Sequence, residues 1–100
     1  MPDDLYKLTC IAAIMAGVAH SRVFSRDRSA HVCRVRFAVW HVLHSSGQWP
    51  LHRIRNAAGY RDHATILNGI RRAKNLIVSD PAFARLTTAL SNLQLSPNNQ

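Results

Sequence analysis

Acidic residues are scarce in this 100-residue chain, because five Asp plus Glu face 13 Lys plus Arg, which gives a formal net charge of +8 at pH 7. The imbalance is concentrated between residues 22 and 74, which hold eleven basic residues and only two acidic ones. Most of the basic residues are arginines, whose planar guanidinium suits phosphate groups and base edges. The excess therefore predicts a polyanionic partner, most simply nucleic acid, rather than a surface charged only for solubility.

Cysteines and long apolar runs are also rare. Cys10 and Cys33 are too few for a disulfide framework, and their apolar surroundings predict two reduced, buried side chains. The apolar run IAAIMAGVA (residues 11–19) is much shorter than the roughly 20 residues of a membrane-spanning helix. The acidic start MPDD is unlike the basic start of a signal peptide. These absences exclude a disulfide-stapled secreted domain and a membrane span, and we expect a cytoplasmic, nucleoid-associated protein.

Motifs for ATP hydrolysis and for metal binding are missing as well. The chain has no Walker A sequence (GxxxxGK followed by Ser or Thr) and hence no phosphate-binding loop of the P-loop ATPases. His41 and His44 lie three residues apart and Cys33 precedes them, but no CxxC or HxxxH pair is present, and a zinc site needs four ligands. We therefore predict no metal and no other cofactor, and expect these histidines to be partly exposed polar residues.

The spacing of the apolar residues predicts an all-α protein. One hundred residues make one domain, and apolar residues recur every three or four positions rather than alternating. The predicted helices span residues 3–20, 30–44, 51–58, 63–77 and 81–93, with Asp3 or Asp4, Ser29, Asp62 and Asp80 as N-caps and Pro81 at a first helical position. Residues 21–31 are predicted to form a loop with Val23 and Phe24 turned inward. The expected fold is a compact bundle of about five helices over residues 1–95, followed by a disordered tail at residues 96–100.

Each of the first four predicted helices presents one apolar face to a common core. The inner residues are Leu5, Leu8, Ile11 or Ala12, Met15 and Val18 or Ala19; then Val32, Val35, Val39 and Val42 or Leu43; then Leu51, Ile54 and Ala57 or Ala58; then Ile66, Leu67, Ile70, Ala73 and Ile77. Trp40 and Trp49 are expected to be packing residues. Gly17 is the weak position of the first helix, at a cost of about 1 kcal/mol relative to alanine.

The stretch GYRDHATILNGIRRAK (residues 59–74) joins two predicted helices through a tight turn. Gly59 can adopt a positive φ and end the helix before it, and Asp62 can cap the helix after it. Two helices joined by a short turn containing glycine form a helix-turn-helix, whose second helix enters the major groove with its N-terminal residues at the base edges. His63 and Thr65 would then face the groove, where the threonine could bond a base or contact a thymine methyl.

A catalytic interpretation of Asp62 and His63 is weaker than the DNA-binding one. An aspartate that orients a general base needs a nucleophile nearby, and none has a plausible site there. Adjacent residues at the start of a helix also point in different directions. We therefore predict that the protein is not an enzyme.

Two further basic segments suit the backbone and minor groove of DNA. The segment RRAK (residues 71–74) follows the start of the predicted recognition helix, where basic side chains meet phosphates and supply affinity without choosing sequence. The segment SRDRSAHVCRVR (residues 25–36) resembles an arm that places one arginine in a neighbouring minor groove. The predicted basic contacts are Arg28, Arg34, Arg36, Arg71, Arg72 and Lys74.

The same stretch, preceded by RFAVWHVL (residues 36–43) and LHRIRNAAG (residues 51–59), resembles the C-terminal DNA-binding domain (domain IV) of DnaA, the bacterial replication initiator. In that family a Gly-Gly-Arg-Asp-His-Thr-Thr-Val run opens the recognition helix. The resemblance extends from about residue 3 to about residue 90. It implies a TrpR-like helical fold and a duplex-DNA partner that carries DnaA-box-like sites.

The resemblance also implies a role for individual residues. Arg28 stands where an arginine enters the minor groove; Arg61, Asp62, His63, Ala64 and Thr65 stand in the major-groove signature; and Arg36, Arg72 and Leu51 stand at positions near the DNA backbone. Departures from the family pattern are Ala64 for the first threonine of the signature, Tyr60 for its second glycine, Phe37 for a phosphate-contacting glutamine, and His52 and Arg53 for Pro and Glu. Ala64 can still touch a thymine methyl.

The initial methionine and the missing ATPase motif lead us to expect a stand-alone DNA-reading domain. We expect it to act as a monomer that regulates replication initiation or transcription by occupying sites that DnaA uses. A second hypothesis is a protein-interaction regulator that keeps the fold, binds DNA weakly, and targets DnaA or its regulatory partners. The departures at Phe37, His52 and Ala64 motivate it, and Phe37 and Trp49, if exposed, would supply an apolar contact patch.

Overall fold

Helices dominate the described part of the chain, residues 4–95, in the computed structural model. They are α1 (Asp4–Ala16), α2 (His20–Val23), α3 (Ala30–Ser45), α4 (Leu51–Ala58), α5 (His63–Ser79) and α6 (Pro81–Leu95), and no strand occurs between residues 4 and 95. The prediction of an all-helical bundle is confirmed. The predicted cap at Asp3 and the predicted tail at residues 96–100 lie outside the described residues. None of the helices described here is both long and apolar enough to cross a membrane.

α3 lies at the centre of the bundle, where it packs against α1, α4, α5 and α6. Its buried residues are Val32, Val35, Arg36, Ala38, Val39, Trp40, Val42 and Leu43. They cover about half of the helix circumference, which is wider than the stripe of about 100° typical of a surface helix. Burying one side chain the size of Leu43 contributes about 1.5–3 kcal/mol. Trp40 and Trp49 are both buried, which confirms their predicted role in packing.

α1 ends at Ala16, well before the end predicted at residue 20. Gly17 adopts a φ of 72°, and the N–H of Val18 donates to the carbonyl of Ala13 at 2.9 Å. This left-handed ending turns the chain away and satisfies a carbonyl of the last helical turn. Val18 is buried as predicted, whereas Met15 is 50% exposed and does not belong to the core.

Residues 20–23 form the single turn of α2 inside the segment that was predicted as a loop. Val23 is buried as predicted, but Phe24 is 46% exposed and the prediction that it turns inward is wrong. The Phe24 ring stacks on Tyr6 of α1, with centroids 5.3 Å apart. The ring therefore covers the outer surface of α1 instead of entering the core.

Two of the predicted N-caps are confirmed and one is not. The carboxylate of Asp62 accepts the N–H of Ala64 at 2.9 Å, and the carboxylate of Asp80 accepts two N–H groups at the start of α6, at 3.1 and 3.2 Å. Ser29 occupies the N-cap position of α3, but its hydroxyl makes no capping hydrogen bond. Its hydroxyl donates to Asp27 at 2.6 Å and its oxygen accepts the Nη2 of Arg22 at 3.4 Å, so the side chain is engaged by these two residues rather than by the N–H groups of α3.

Residues 59–62 join α4 to α5 in the arrangement that the sequence predicts. Gly59 adopts a φ of 81°, and the N–H of Tyr60 donates to the carbonyl of Arg55 at 3.0 Å. The left-handed glycine lets the chain reverse within one residue, so that α5 begins close to the end of α4. The buried residues of α5 are Ile66, Gly69, Ile70 and Ala73, whereas the predicted inner residues Leu67 and Ile77 are only half-buried.

A candidate nucleic-acid interface

The outer face of α5 is free of the core along the helix. At 100° per residue, Ala64, Asn68, Arg71 and Asn75 form one line, which Thr65 and Arg72 flank. Each of these residues is exposed. Ile66 and Ile70 lie on the opposite side and attach the helix to the core. Polar and basic side chains therefore face outward on a helix whose apolar side holds it in place.

Arg61, Asp62 and His63 lie exposed at the N-terminal end of α5. Because the Asp62 carboxylate accepts the N–H of Ala64, this aspartate caps the helix, as the sequence predicts. The side chains of Arg61, His63 and Thr65 form no hydrogen bond or ion pair within residues 4–95. They are available to a partner outside the chain.

A groove of about 580 Å³, here named the α5 groove, runs between α3 and α5. Its lining residues are Arg28, Cys33, Arg36, Phe37, Trp40, Tyr60, Ala64, Thr65, Leu67, Asn68 and Arg71. Arg28, which is distant in sequence, thus lines the same groove as Thr65 and Arg71. The roles of Arg28 on a minor-groove arm and of Thr65 on a recognition helix stay predictions.

A second groove of about 510 Å³ adjoins the first on the other side of Tyr60. Arg26, Arg28 and Arg61 line it together with apolar residues of α1 and α4. Each of these three arginines is exposed, and none pairs with an acidic side chain within the described part of the chain. The two grooves together form one continuous basic surface around the start of α5.

Asp27 holds the loop of residues 24–29, named the basic loop, in one conformation. Its carboxylate accepts the hydroxyl of Ser29 at 2.6 Å, the N–H of Ser29 at 2.8 Å and the Nε of Arg22 at 2.8 Å. Hydrogen bonds from Ser29, and then from Arg22, keep the pKa of this carboxyl well below its usual range. Asp27 therefore neutralises Arg22 and leaves the charges of Arg26 and Arg28 free.

Arg36 supports the end of α2 and the start of the basic loop from within and is only 8% exposed. Its Nε donates to the carbonyl of Val23 at 2.9 Å, and its Nη2 donates to the carbonyls of Ser25 at 2.8 Å and Arg22 at 3.3 Å. A guanidinium committed to three backbone carbonyls is not free to bind phosphate. These hydrogen bonds favour a positioning role for Arg36 over the DNA backbone contact that the resemblance implies.

Arg34 lies away from the rest of the predicted set. Its Nη1 is 3.3 Å from the Oδ2 of Asp80, just past the C-terminal end of α5. That 17-residue helix is about 25 Å long, so Arg34 is a helix length away from Arg61 and His63. Arg34 therefore lies apart from the other predicted interface residues.

The remaining predicted residues lie around the edge of the surface. Arg72 is exposed with its Cζ 5.9 Å above the centre of the Phe37 ring. Leu51 is half-buried against the core at the first position of α4. Lys74 is exposed on the flank of α5, and burial, then Lys74 and His44, lower the pKa of His41. Arg72 adjoins the α5 groove, while Lys74 points to its flank.

The side chains that the sequence offered for metal binding do not form a site. Between residues 4 and 95, no three His, Cys, Asp or Glu side chains come together in a way that could hold an ion. Cys10 and Cys33 are free thiols, as predicted, but both are half-buried rather than buried. The Nδ1 of His41 is buried and makes no hydrogen bond in the described structure.

Sequence reasoning missed two residues of this surface, Asn68 and Arg26. Asn68 follows Ala64 by one helical turn, so helical periodicity applied outward from the recognition residues could have found it. Arg26 lies two residues before Arg28 in the basic loop, and only the folded loop shows that both are exposed. Both belong with the predicted residues in the surface around the start of α5.

The order of the basic loop is expected to depend on pH through Asp27. Because its folded pKa is lowered, the ionised carboxylate stabilises the loop above the unfolded value of about 4, and this contribution is lost as pH falls through the folded pKa. In NMR spectra the amide of Ser29 should keep its native chemical shift to well below pH 4, where a free aspartate is already about half protonated. Asp27→Asn should remove the titration and shift this amide at all pH values. A midpoint near that of a free aspartate would contradict the assignment.

Comparison with known proteins adds no family to this picture. No protein-family model matches the chain, and searches of curated proteins and of solved structures return no match. The resemblance to the DnaA domain therefore depends on the segments quoted above, and the assignment of the interface depends on its geometry.

Proposed function

We propose that this protein binds duplex DNA without enzymatic activity and reads sequence with the N-terminal half of α5, at DnaA-box-like sites. By occupying such sites it would regulate replication initiation or transcription. The observation that carries the proposal is the α5 groove, because it joins Arg28 of the basic loop to Thr65 and Arg71 on one exposed surface.

The dimensions of α5 suit this role. The major groove of DNA is about 12 Å wide and admits one helix. α5 exposes its whole outer face, and the four-residue connection at 59–62 leaves its N-terminal end uncovered. His63, Ala64 and Thr65 would then meet base edges, and Arg71 and Arg72 would meet phosphates behind them.

The charge distribution supports the same partner. Three arginines are exposed around the second groove: Arg26, Arg28 and Arg61. The nearby Asp27 carboxylate is already hydrogen-bonded to Arg22 and Ser29 and does not neutralise those three arginines. An unpaired cluster of arginines on an ordered surface attracts phosphates over long range. A basic loop ordered before binding also avoids part of the entropy cost of association.

The alternative, a protein-interaction regulator, would use an apolar patch of exposed Phe37 and Trp49, and these residues do not form one. Trp49 is only 2% exposed, and the Cζ of Arg53 lies 3.8 Å above its ring. Phe37 is half-buried, packs beside Trp40 and lies beneath Arg72. Within the described residues, these two aromatic side chains do not form an exposed apolar surface.

Arg61→Ala is expected to reduce the discrimination between a duplex that carries a DnaA box and a scrambled duplex. One good base contact is worth about 1–3 kcal/mol, or about 5- to 150-fold in the ratio of the two Kd values. Fluorescence anisotropy with both labelled duplexes measures this ratio. Because Arg61 is exposed and forms no intramolecular bond, the fold should be unchanged.

Arg85→Ala is the matched control, since Arg85 is an exposed arginine of α6 that lines neither groove. It removes the same charge and should leave the discrimination ratio unaltered. If Arg61→Ala also leaves the ratio at the wild-type value, Arg61 reads no base and this part of the proposal fails.

A further inference from the structure

Asn68 lies in the second turn of α5, on the same outward line as Ala64 and Asn75. Its side chain is exposed and forms no hydrogen bond within residues 4–95. Asparagine is among the weaker helix formers, so local helix stability does not explain its presence at an exposed interior position. The Asn68 carboxamide therefore offers a hydrogen-bond donor and an acceptor to a partner outside the chain, on a helix that is fixed to the core.

The surroundings of Asn68 leave room for a planar partner. Ala64, one turn earlier on the same line, has a methyl group as its whole side chain. Thr65 and Arg71 flank the position, and Arg28 lies on the far side of the α5 groove. A flat, hydrogen-bonding group could therefore approach the Asn68 amide over Ala64 without displacing a neighbour.

The position along the helix separates Asn68 from the other asparagine on this line. Asn68 lies five residues, or about 7.5 Å, from the first residue of α5, whereas Asn75 lies about 18 Å from it. A recognition helix presents its N-terminal residues to the bases of the major groove. Asn68 belongs to that N-terminal part of α5 and Asn75 does not, so we expect only Asn68 to reach a base edge.

We propose that Asn68 determines specificity by reading an adenine in the major groove. Its carboxamide would accept a hydrogen bond from the adenine N6 amino group and donate one to N7, a pairing that the other three bases do not offer in the same arrangement. The inference rests on the proposed DNA-binding function and adds to it the base that the second turn of α5 selects.

The test is a set of duplexes in which each base pair of the preferred site is replaced in turn, titrated by anisotropy with the wild-type protein, Asn68→Ala and Asn75→Ala. The wild-type protein should prefer adenine at one base pair by about 5- to 150-fold. Asn68→Ala should lose that preference at that base pair alone and keep the others. Asn75→Ala, which removes the same amide from the same face of the helix, should show the wild-type pattern.

The near-isosteric variant Asn68→Asp tests for a changed base preference, in addition to the loss of preference expected in Asn68→Ala. Asn68→Asp replaces the amide donor by a second acceptor, which suits the amino group of cytosine. At the base pair in question the preference should move from adenine to cytosine, with lower affinity overall because a negative charge is added near phosphate. Circular dichroism of both variants checks that they fold.

Three outcomes would overturn the inference. An unchanged pattern in Asn68→Ala would show that the amide reads no base. A uniform loss of affinity at every base pair would make Asn68 a backbone contact. If the wild-type protein has no preference at any base pair, the proposed sequence-specific function fails together with the inference, whereas the first two outcomes leave that function intact.

Discussion

Replacing Gly69 by alanine is expected to lower the free energy of unfolding by about 1–3 kcal/mol, although the same change inside most helices raises it. A Cβ at this position would lie 2.6 and 2.7 Å from two ring carbons of Trp40 and 2.8 Å from one ring carbon of Phe37. Trp40 is buried and holds Tyr60 edge-on at 5.4 Å, so its ring cannot turn aside. Gly69 is therefore the point of closest approach that lets α5 pack on α3.

Urea unfolding measures this effect, with Asn75→Ala as the matched control in the same helix. Asn75 is exposed, and alanine there should stabilise the protein slightly, by less than about 1 kcal/mol. Opposite signs for the two variants would confirm that packing outweighs helix propensity at Gly69. An increase in stability in Gly69→Ala would show that the two helices do not approach as closely as described. DNA binding should also weaken in Gly69→Ala, because the added methyl displaces α5 from the basic loop.

Arg36→Ala is expected to lower the free energy of unfolding by about 1–3 kcal/mol and to weaken DNA binding at the same time. The change leaves the carbonyls of Arg22, Val23 and Ser25 without the donor that ties them to α3. Without that tie, the basic loop loses the conformation that holds Arg28 beside α5. Thermal unfolding and anisotropy with the same duplexes measure the two effects.

Arg34→Ala is the control variant for the positioning role of Arg36. Arg34 belongs to the same helix, but its ion pair with Asp80 is exposed, and such pairs contribute about 0–1 kcal/mol. A positioning role for Arg36 predicts losses of both stability and affinity in Arg36→Ala and neither in Arg34→Ala. Loss of affinity with unchanged stability in Arg36→Ala would return it to the phosphate contacts that the sequence predicted.

The fold was largely predictable from local signals. Periodic apolar residues located α3 to α6, and Asp62, Asp80 and Gly59 ended or started helices by hydrogen bonds and a backbone conformation that involve only near neighbours. The end of α1 was not predictable in this way. Val18 continues the apolar period of the helix, so its burial fits both a helix that runs to residue 20 and one that ends at Ala16. Likewise the sequence pattern allowed Ser29 to cap α3, and only the folded loop brings Asp27 close enough to take its hydroxyl.

The residues of the candidate site also differ in whether local sequence signals could predict their positions. Thr65 and Arg71 could be placed on the outer face of α5 because their spacing determines where they lie on a helix. Arg28 could be placed near them only through the resemblance to the DnaA domain. The burial of Arg36 depends on the carbonyls of a loop eleven to fourteen residues earlier, and a basic stretch in a sequence does not distinguish such a residue from an exposed one.

The most direct test of the account is the salt dependence of binding to two labelled duplexes, one with a DnaA box and one scrambled, followed by fluorescence anisotropy from about 50 to about 200 mM salt. The account predicts that both affinities fall with salt, while the preference for the box duplex persists across the series, because base contacts release no counterions. Equal affinity for the two duplexes, with binding lost steeply as salt rises, would mean that only phosphate attraction operates. That result would contradict the proposal that α5 reads DnaA-box-like sites.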